Sequence, residues 1–245
     1  MLLKFSLLFF YILIAFPPQS GKAAWWERTT VYEVYPRSLQ DSDGDGTGDL
    51  NGIRSRLDYF ADLGVETLWL TPIFESPMRD NGYDISNYLM IDPLFGTMED
   101  FEQLVVEAHQ KGNRSVEVFI SSNVFQRSSL GLKIVLDFVL NHSSDQHEWF
   151  QKSLIQEYPY SDYYVWEDPK GFDDKGNPIP PTNWVSAFRG SMWEFREERQ
   201  QFYLHQYLVE QPDLNYRNPL IIEEMKNVLQ FWLDIGVDGF RLDAV

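Results

Sequence analysis

A parallel β/α architecture, either a (β/α)8 barrel or a doubly wound sheet, is the fold class the sequence predicts, with a small domain inserted after the third strand. Three observations predict it. A unit of amphipathic helix, glycine and apolar strand occurs three times. The strands are continuously apolar, as strands covered on both faces are. The alternation then lapses between Asn141 and Gln211, a stretch rich in aromatics, Pro and Asp and too long for a simple loop.

A leader precedes the first unit. Lys4 is followed by Phe5 to Phe16, in which only Ser6 is polar, then by Pro17 and Pro18 and the small residues Ser20, Gly21, Ala23 and Ala24. The pattern is that of a signal peptide over residues 1–24, and its apolar run is short of the ~20 residues that a membrane span needs. TVYEVYPRS reads as the first strand. Leu50, Ile53, Leu57 and Phe60 then fall at helical spacing, Gly64 stops that helix, and VETLWL is the second strand. The next helix opens at Thr97, whose hydroxyl can cap while Asp100 reaches back. Its apolar stripe is Phe101, Leu104, Val105 and Ala108; Gly112 ends it and LKIVLDFVL is the third strand. Asn218 and Pro219 are a cap followed by proline at the first helical position. Gly236 stops that helix ahead of VDGFRLD, the fourth strand.

Composition narrows the function. The 245 residues are 44% hydrophobic and carry a formal net charge of −17, which argues against a nucleic-acid partner and suits neutral ligands. With no cysteine, disulfides and thiolate zinc sites are excluded.

Three motifs carry chemistry. DSDGDGTGDLNG places Asp41, Asp43, Asp45 and Asp49 within nine residues, and four carboxylates so close repel unless a cation lies among them. Oxygen ligands on a glycine-rich loop suit Ca²⁺, with the Thr47 backbone carbonyl as a further donor. An EF-hand would need a glutamate where Gly52 stands, so this is a calcium loop of another kind. DFVLNH, residues 137–142, lies at the C-terminal end of a strand, where barrel enzymes carry their active sites. GFRLDAV occupies the corresponding end of the next strand. Alternation puts Gly239, Arg241 and Asp243 on one face, and a cation beside a carboxylate favours its charged form. Each of these two motifs alone is equally compatible with a structural ion pair or a satisfied core aspartate.

Taken together, these residues resemble the α-amylase family of glycoside hydrolases from about Trp25 onward. DFVLNH and GFRLDAV look like its blocks at the third and fourth strands, and QPDLN is similar to its block near the end of the inserted domain. QPDLN and WLTPIFESPMRDNGYDISNY point to the maltase and oligo-1,6-glucosidase branch, and DSDGDGTGDLNGI resembles that branch's calcium loop. The resemblance implies the N-terminal half of a (β/α)8 TIM barrel: barrel residues 25–141, an inserted domain over 142–211, and barrel residues 212–245. It implies Asp243 as nucleophile and Arg241 as its electrostatic partner. His142 would bond a sugar hydroxyl, Asp84 would grip the same sugar, Tyr83 would form a stacking wall and Phe188 would line the pocket. Asp137 would brace the site. The implied activity is retaining hydrolysis of maltose-like oligosaccharides by an exported α-glucosidase with a structural Ca²⁺ at Asp41, Asp43, Asp45, Thr47 and Asp49.

Departures accompany the resemblance. Leu140 stands where many members carry proline. The family's glutamate acid follows its fifth strand, so an incomplete barrel without turnover of its own is expected of these residues. Residues 113–131 interrupt a join that the family makes directly, and they read as retained non-coding sequence, or else as a surface loop with a glycosylation sequon at Asn113. A non-catalytic ectodomain, such as an amino-acid transporter heavy chain, is the rival reading; it requires a membrane anchor and loss of the site residues.

Overall fold

The computed structural model describes residues 24–111, 117–120, 123–126 and 131–244. The leader and most of residues 113–131 therefore lie outside the described residues, as does Gly112. Four strands, Val31–Val34, Thr67–Leu70, Lys133–Val139 and Gly239–Asp243, form one all-parallel sheet in chain order. A doubly wound sheet reverses direction at a switch point; the described sheet advances one strand at a time, as a barrel wall does.

The first strand is shorter than TVYEVYPRS predicts. Pro36 has no N–H for the ladder and instead opens a one-turn helix, Pro36–Leu39. The first long helix is also two: Leu50–Ser55 and Leu57–Leu63 are separated at Arg56, whose N–H reaches back only three residues to Ile53. Its apolar stripe is unaffected, since Leu50, Ile53, Leu57 and Phe60 are all fully buried. Gly64 and Gly236 end their helices in the left-handed conformation that glycine adopts without strain. At Met98–Lys111 the Thr97 hydroxyl accepts from the Asp100 N–H while Asp100 accepts from Thr97, and Asn218 caps Pro219–Ile235.

Two helices and a short antiparallel ribbon, Phe74–Glu75 with Asn87–Ile91, meet at Trp232. Its ring stacks on Phe74 at 4.8 Å and meets Phe101 edge-on at 5.4 Å, and its indole N–H donates to the Tyr88 carbonyl at 2.8 Å. Burying an indole is favourable when its one donor is satisfied.

The chain leaves this body at His142 and returns at Asp213, and the two residues bridge each other. Between them lie the helix Glu148–Leu154 and a three-stranded antiparallel sheet of Trp166–Glu167, Gln201–Leu204 and Trp193–Arg196. Phe150 stacks on Trp166 at 5.6 Å, and the Arg199 guanidinium lies 4.5 Å from the Trp166 ring centroid. Two further strands, Glu117–Ile120 and Asn123–Gln126, pair with each other.

At the N-terminal ends of the strands Asp238 joins three elements. It accepts from the Ile134 N–H at 2.9 Å, from Lys133 Nζ at 2.7 Å, and pairs with His109 Nε2 at 2.7 Å. Burial raises its pKa, but these three partners outweigh it and hold the carboxyl below the ordinary range. A depressed carboxyl contributes stability above its unfolded pKa and loses it as pH falls through the folded value. Asp238→Ala should therefore cost about 1–3 kcal/mol in urea unfolding at pH 7, and the deficit should shrink as the comparison moves below pH 4. A deficit that is flat with pH would contradict this account.

Candidate active site

Register places the charged residues. Arg241 is the Cα partner of Asp137 across the third and fourth strands, so their side chains leave the same face of the sheet. One guanidinium nitrogen, Nη1, reaches Asp137 Oδ1 at 3.0 Å and also contacts Asp243 Oδ1. The guanidinium lies 4.8 Å from the Trp69 ring centroid. Trp69 Nε1 and the Tyr83 hydroxyl each donate to Asp137 Oδ2 at 3.1 Å. Asp137 is thus an enclosed carboxylate with three donor groups. Burial pushes its pKa up to about 6, against the Arg241 charge, so it is anionic at neutral pH. Fully engaged, it is a brace and not a proton donor. Asp243, by contrast, meets the guanidinium through Oδ1 and remains partly exposed.

His142 follows the third strand and is 2% exposed. Burial pushes its pKa down to about 4, against the Tyr83 backbone carbonyl, so the ring is neutral at pH 7. Among the described residues its Nε2 is buried without a hydrogen bond of good geometry. Two tyrosines connect His142 with Asp243. Tyr83 links the Asp137 carboxylate to the histidine side of the site. The Tyr207 ring lies 5.2 Å from His142, and its phenol pKa is raised by burial and by the charge of Asp243. The Phe188 ring lies 6.3 Å from that of Tyr207 and is 57% exposed.

Asp84, expected to grip the bound sugar, is engaged within its own loop. It is fully buried, and its carboxylate accepts from Ser76 Oγ at 3.0 Å and from the N–H groups of Asp80 and Arg79 at 2.9 and 3.0 Å. In this arrangement it shapes the loop that carries Tyr83. A tight turn of residues 76–84 needs an internal acceptor for its backbone donors, and Asp84 is that acceptor.

The acidic loop brings oxygens of Asp41, Asp43 and Asp49 within 4.8 Å of one another, the only such group among the described residues. Ligands of one Ca²⁺ at 2.3–2.6 Å lie no further apart than about that. Asp45 instead accepts from the Thr47 N–H at 2.7 Å. The donor set fits a hard cation at three of the four aspartates.

Sequence reasoning assigned no role to Trp69 or Tyr207. Trp69 was legible in principle, since alternation sets it on the face opposite Leu68 and Leu70, with a donor that must find a partner. Tyr207 carried no local signal, because the return of the chain at Asp213 brings it into place.

Comparison with known proteins bears on the same residues. Residues 33–245 match the family described as Alpha amylase, catalytic domain. The chain is 53% identical to Maltase A2 of Drosophila melanogaster over 236 residues, covering 96% of this chain and 38% of that protein. It is 52% identical to a salivary alpha-glucosidase of Aedes aegypti, covering 90% and 35%. It is also 46% identical to the amino acid transporter heavy chain SLC3A1 of Rattus norvegicus, covering 90% and 29%. The crystal structure of an alpha-glucosyl transfer enzyme, XgtA, superposes with a TM-score of 0.79 at 46% identity, over 91% of this chain and 37% of that one. The chain thus spans less than two-fifths of the length of these relatives. A parallel sheet in chain order, charges at its C-terminal ends and this match lead to one conclusion: the chain belongs to the α-amylase family of glycoside hydrolases and carries the N-terminal part of its catalytic barrel.

Proposed function

We propose that the chain forms the nucleophile half of an α-glucosidase site for maltose and short α-linked glucose oligosaccharides. The observation that carries this reading is the single guanidinium nitrogen shared by Asp137 and Asp243. It fixes the Asp243 carboxylate while Asp137 absorbs the remaining donors. In a retaining mechanism Asp243 attacks the anomeric carbon, the glycosidic bond breaks, and water later releases the sugar with its α configuration restored. His142, neutral at pH 7, would donate from Nε2 to a hydroxyl of the bound glucose, with the rings of Tyr83 and Tyr207 beside it and Phe188 beyond Tyr207. A proton must also reach the leaving oxygen. We assign that acid to the part of the barrel that the relatives carry beyond the matched stretch.

The loop around Asp41, Asp43 and Asp49 would hold a Ca²⁺ whose role is to neutralise the carboxylates and stiffen the loop. Export is supported by the leader reading and by the salivary relative's name. Among the described residues no helix is long and apolar enough to cross a membrane. The transporter-type reading is disfavoured by the presence of Asp243, Arg241 and His142, whose charges and buried polar atoms a purely structural ectodomain has no need to keep.

Two outcomes test this reading. In the protein that joins these residues to the rest of the barrel, Asp243→Asn should lower kcat for maltose by at least about 10³-fold. Proton NMR of the wild-type reaction should show α-glucose as the first product. β-Glucose, or an Asp243→Asn variant with near-normal kcat, would exclude the mechanism. For the loop, millimolar Ca²⁺ should raise Tm, by a free energy of about 2.7 kcal/mol at 100 times Kd. Chelator should reverse the shift, and Asp41→Ala should abolish it. A Tm indifferent to both would remove the cation.

A further inference from the structure

We propose that Asn141, Gln206 and Asp213 are positioning residues that lock His142 into one tautomer, with the proton on Nε2 and a bare lone pair on Nδ1. The inference deepens the glucosidase reading, on which it relies only for what Nε2 would contact.

Hydrogen-bond logic starts at Asp213, which is 3% exposed. An ionised carboxylate can only accept. It takes the Gln206 N–H and Asn141 Nδ2 on Oδ1, both at 3.0 Å, and Gln206 Nε2 on Oδ2 at 2.5 Å. Reversing either amide would set oxygen against oxygen, so Asp213 fixes both orientations. Gln206 uses its second N–H on Asn141 Oδ1 at 3.0 Å, which fixes the Asn141 amide a second time. One N–H of Asn141 remains, and it faces His142 Nδ1 at 3.3 Å. A donor against Nδ1 requires a lone pair there, so a neutral ring must carry its proton on Nε2.

Backbone geometry holds the same groups together. His142 and Asp213 bridge each other, and the Leu214 N–H donates to the Asn141 carbonyl at 2.9 Å. Burial leaves Asp213 with a pKa of about 6 and His142 with one of about 4, so at pH 7 the carboxylate is an acceptor and the imidazole is neutral. Among the described residues Nε2 lacks a hydrogen bond of good geometry, and the Tyr83 backbone carbonyl is the acceptor beside the ring. The inserted segment that supplies Gln206 and Asp213 thus sets, from the far end of the chain of bonds, which ring nitrogen carries the proton.

The test is the tautomer itself. The ¹⁵N-labelled 245-residue chain contains four histidines, and a two-bond ¹H–¹⁵N correlation at pH 7 resolves their ring nitrogens. His142→Gln assigns the relevant pattern. The Nε2–H form should exceed the other by about tenfold or more, on the order of what one buried hydrogen bond supplies. Asn141→Asp replaces the donor with an acceptor, so Nδ1 should become protonated. Asp213→Asn should give a mixture. A wild-type His142 in the Nδ1–H form or evenly mixed, or Asn141→Asp indistinguishable from wild type, overturns the proposal. The wild-type spectrum decides even if a variant does not fold. Addition of maltose to the protein that joins these residues to the rest of the barrel separates the two readings: an Nε2–H tautomer that maltose never perturbs there counts against the sugar site and leaves the positioning role standing.

Discussion

A positive charge inside a barrel wall must be paired, because removing an isolated ion from water costs several kcal/mol. Arg241 meets that constraint with two carboxylates, one on its own strand and one on the neighbour. Everything around it follows from how the two differ. Asp137 is enclosed by Trp69 and Tyr83 and cannot turn, whereas Asp243 shares the guanidinium and keeps partial access to solvent. One cation thus makes a fixed wall on one side and an available anion on the other. The parallel register supplies the spacing, since it places Arg241 opposite Asp137 without any loop having to carry either.

Much of this was legible in the sequence because each element obeys a local rule. The helix caps at Thr97 and Asn218 and the glycine stops at Gly64 and Gly236 depend only on neighbouring residues, and all stand as read. Two-fold alternation alone put Arg241 and Asp243 on one face. Strand order was not legible from periodicity, since barrel and doubly wound sheets share their units and differ only in which strands pair. The break of the first long helix at Arg56, where the side chain bonds Gln40, was not legible either. Asp84 shows the same limit from another side. A carboxylate beside a tyrosine looks available in sequence, and only the folding of residues 76–84 spends its oxygens on backbone donors.

The segment between His142 and Asp213 has its own aromatic packing, yet it is tied to the sheet at the residues that carry chemistry. Its two ends bridge beside the third strand, and Tyr164 bridges to Leu214 one step further on. A folded segment anchored in this way delivers Tyr207, Gln206 and Asp213 as a rigid set. Residues far apart in sequence thereby complete the surroundings of His142.

The acidic loop has one feature whose reach extends beyond cation chemistry. Asp49 closes the loop by accepting from Ser42 and also begins the helix Leu50–Ser55 by accepting from the Gly52 N–H. Three residues on, Gly52 lies so close to Gln40 that an added Cβ would fall 1.8 Å from its carbonyl oxygen. Loop and helix are therefore welded at both ends of one turn. Neither can loosen without the other, so whatever steadies the acidic arc also sets the angle at which the polypeptide enters its first helical layer.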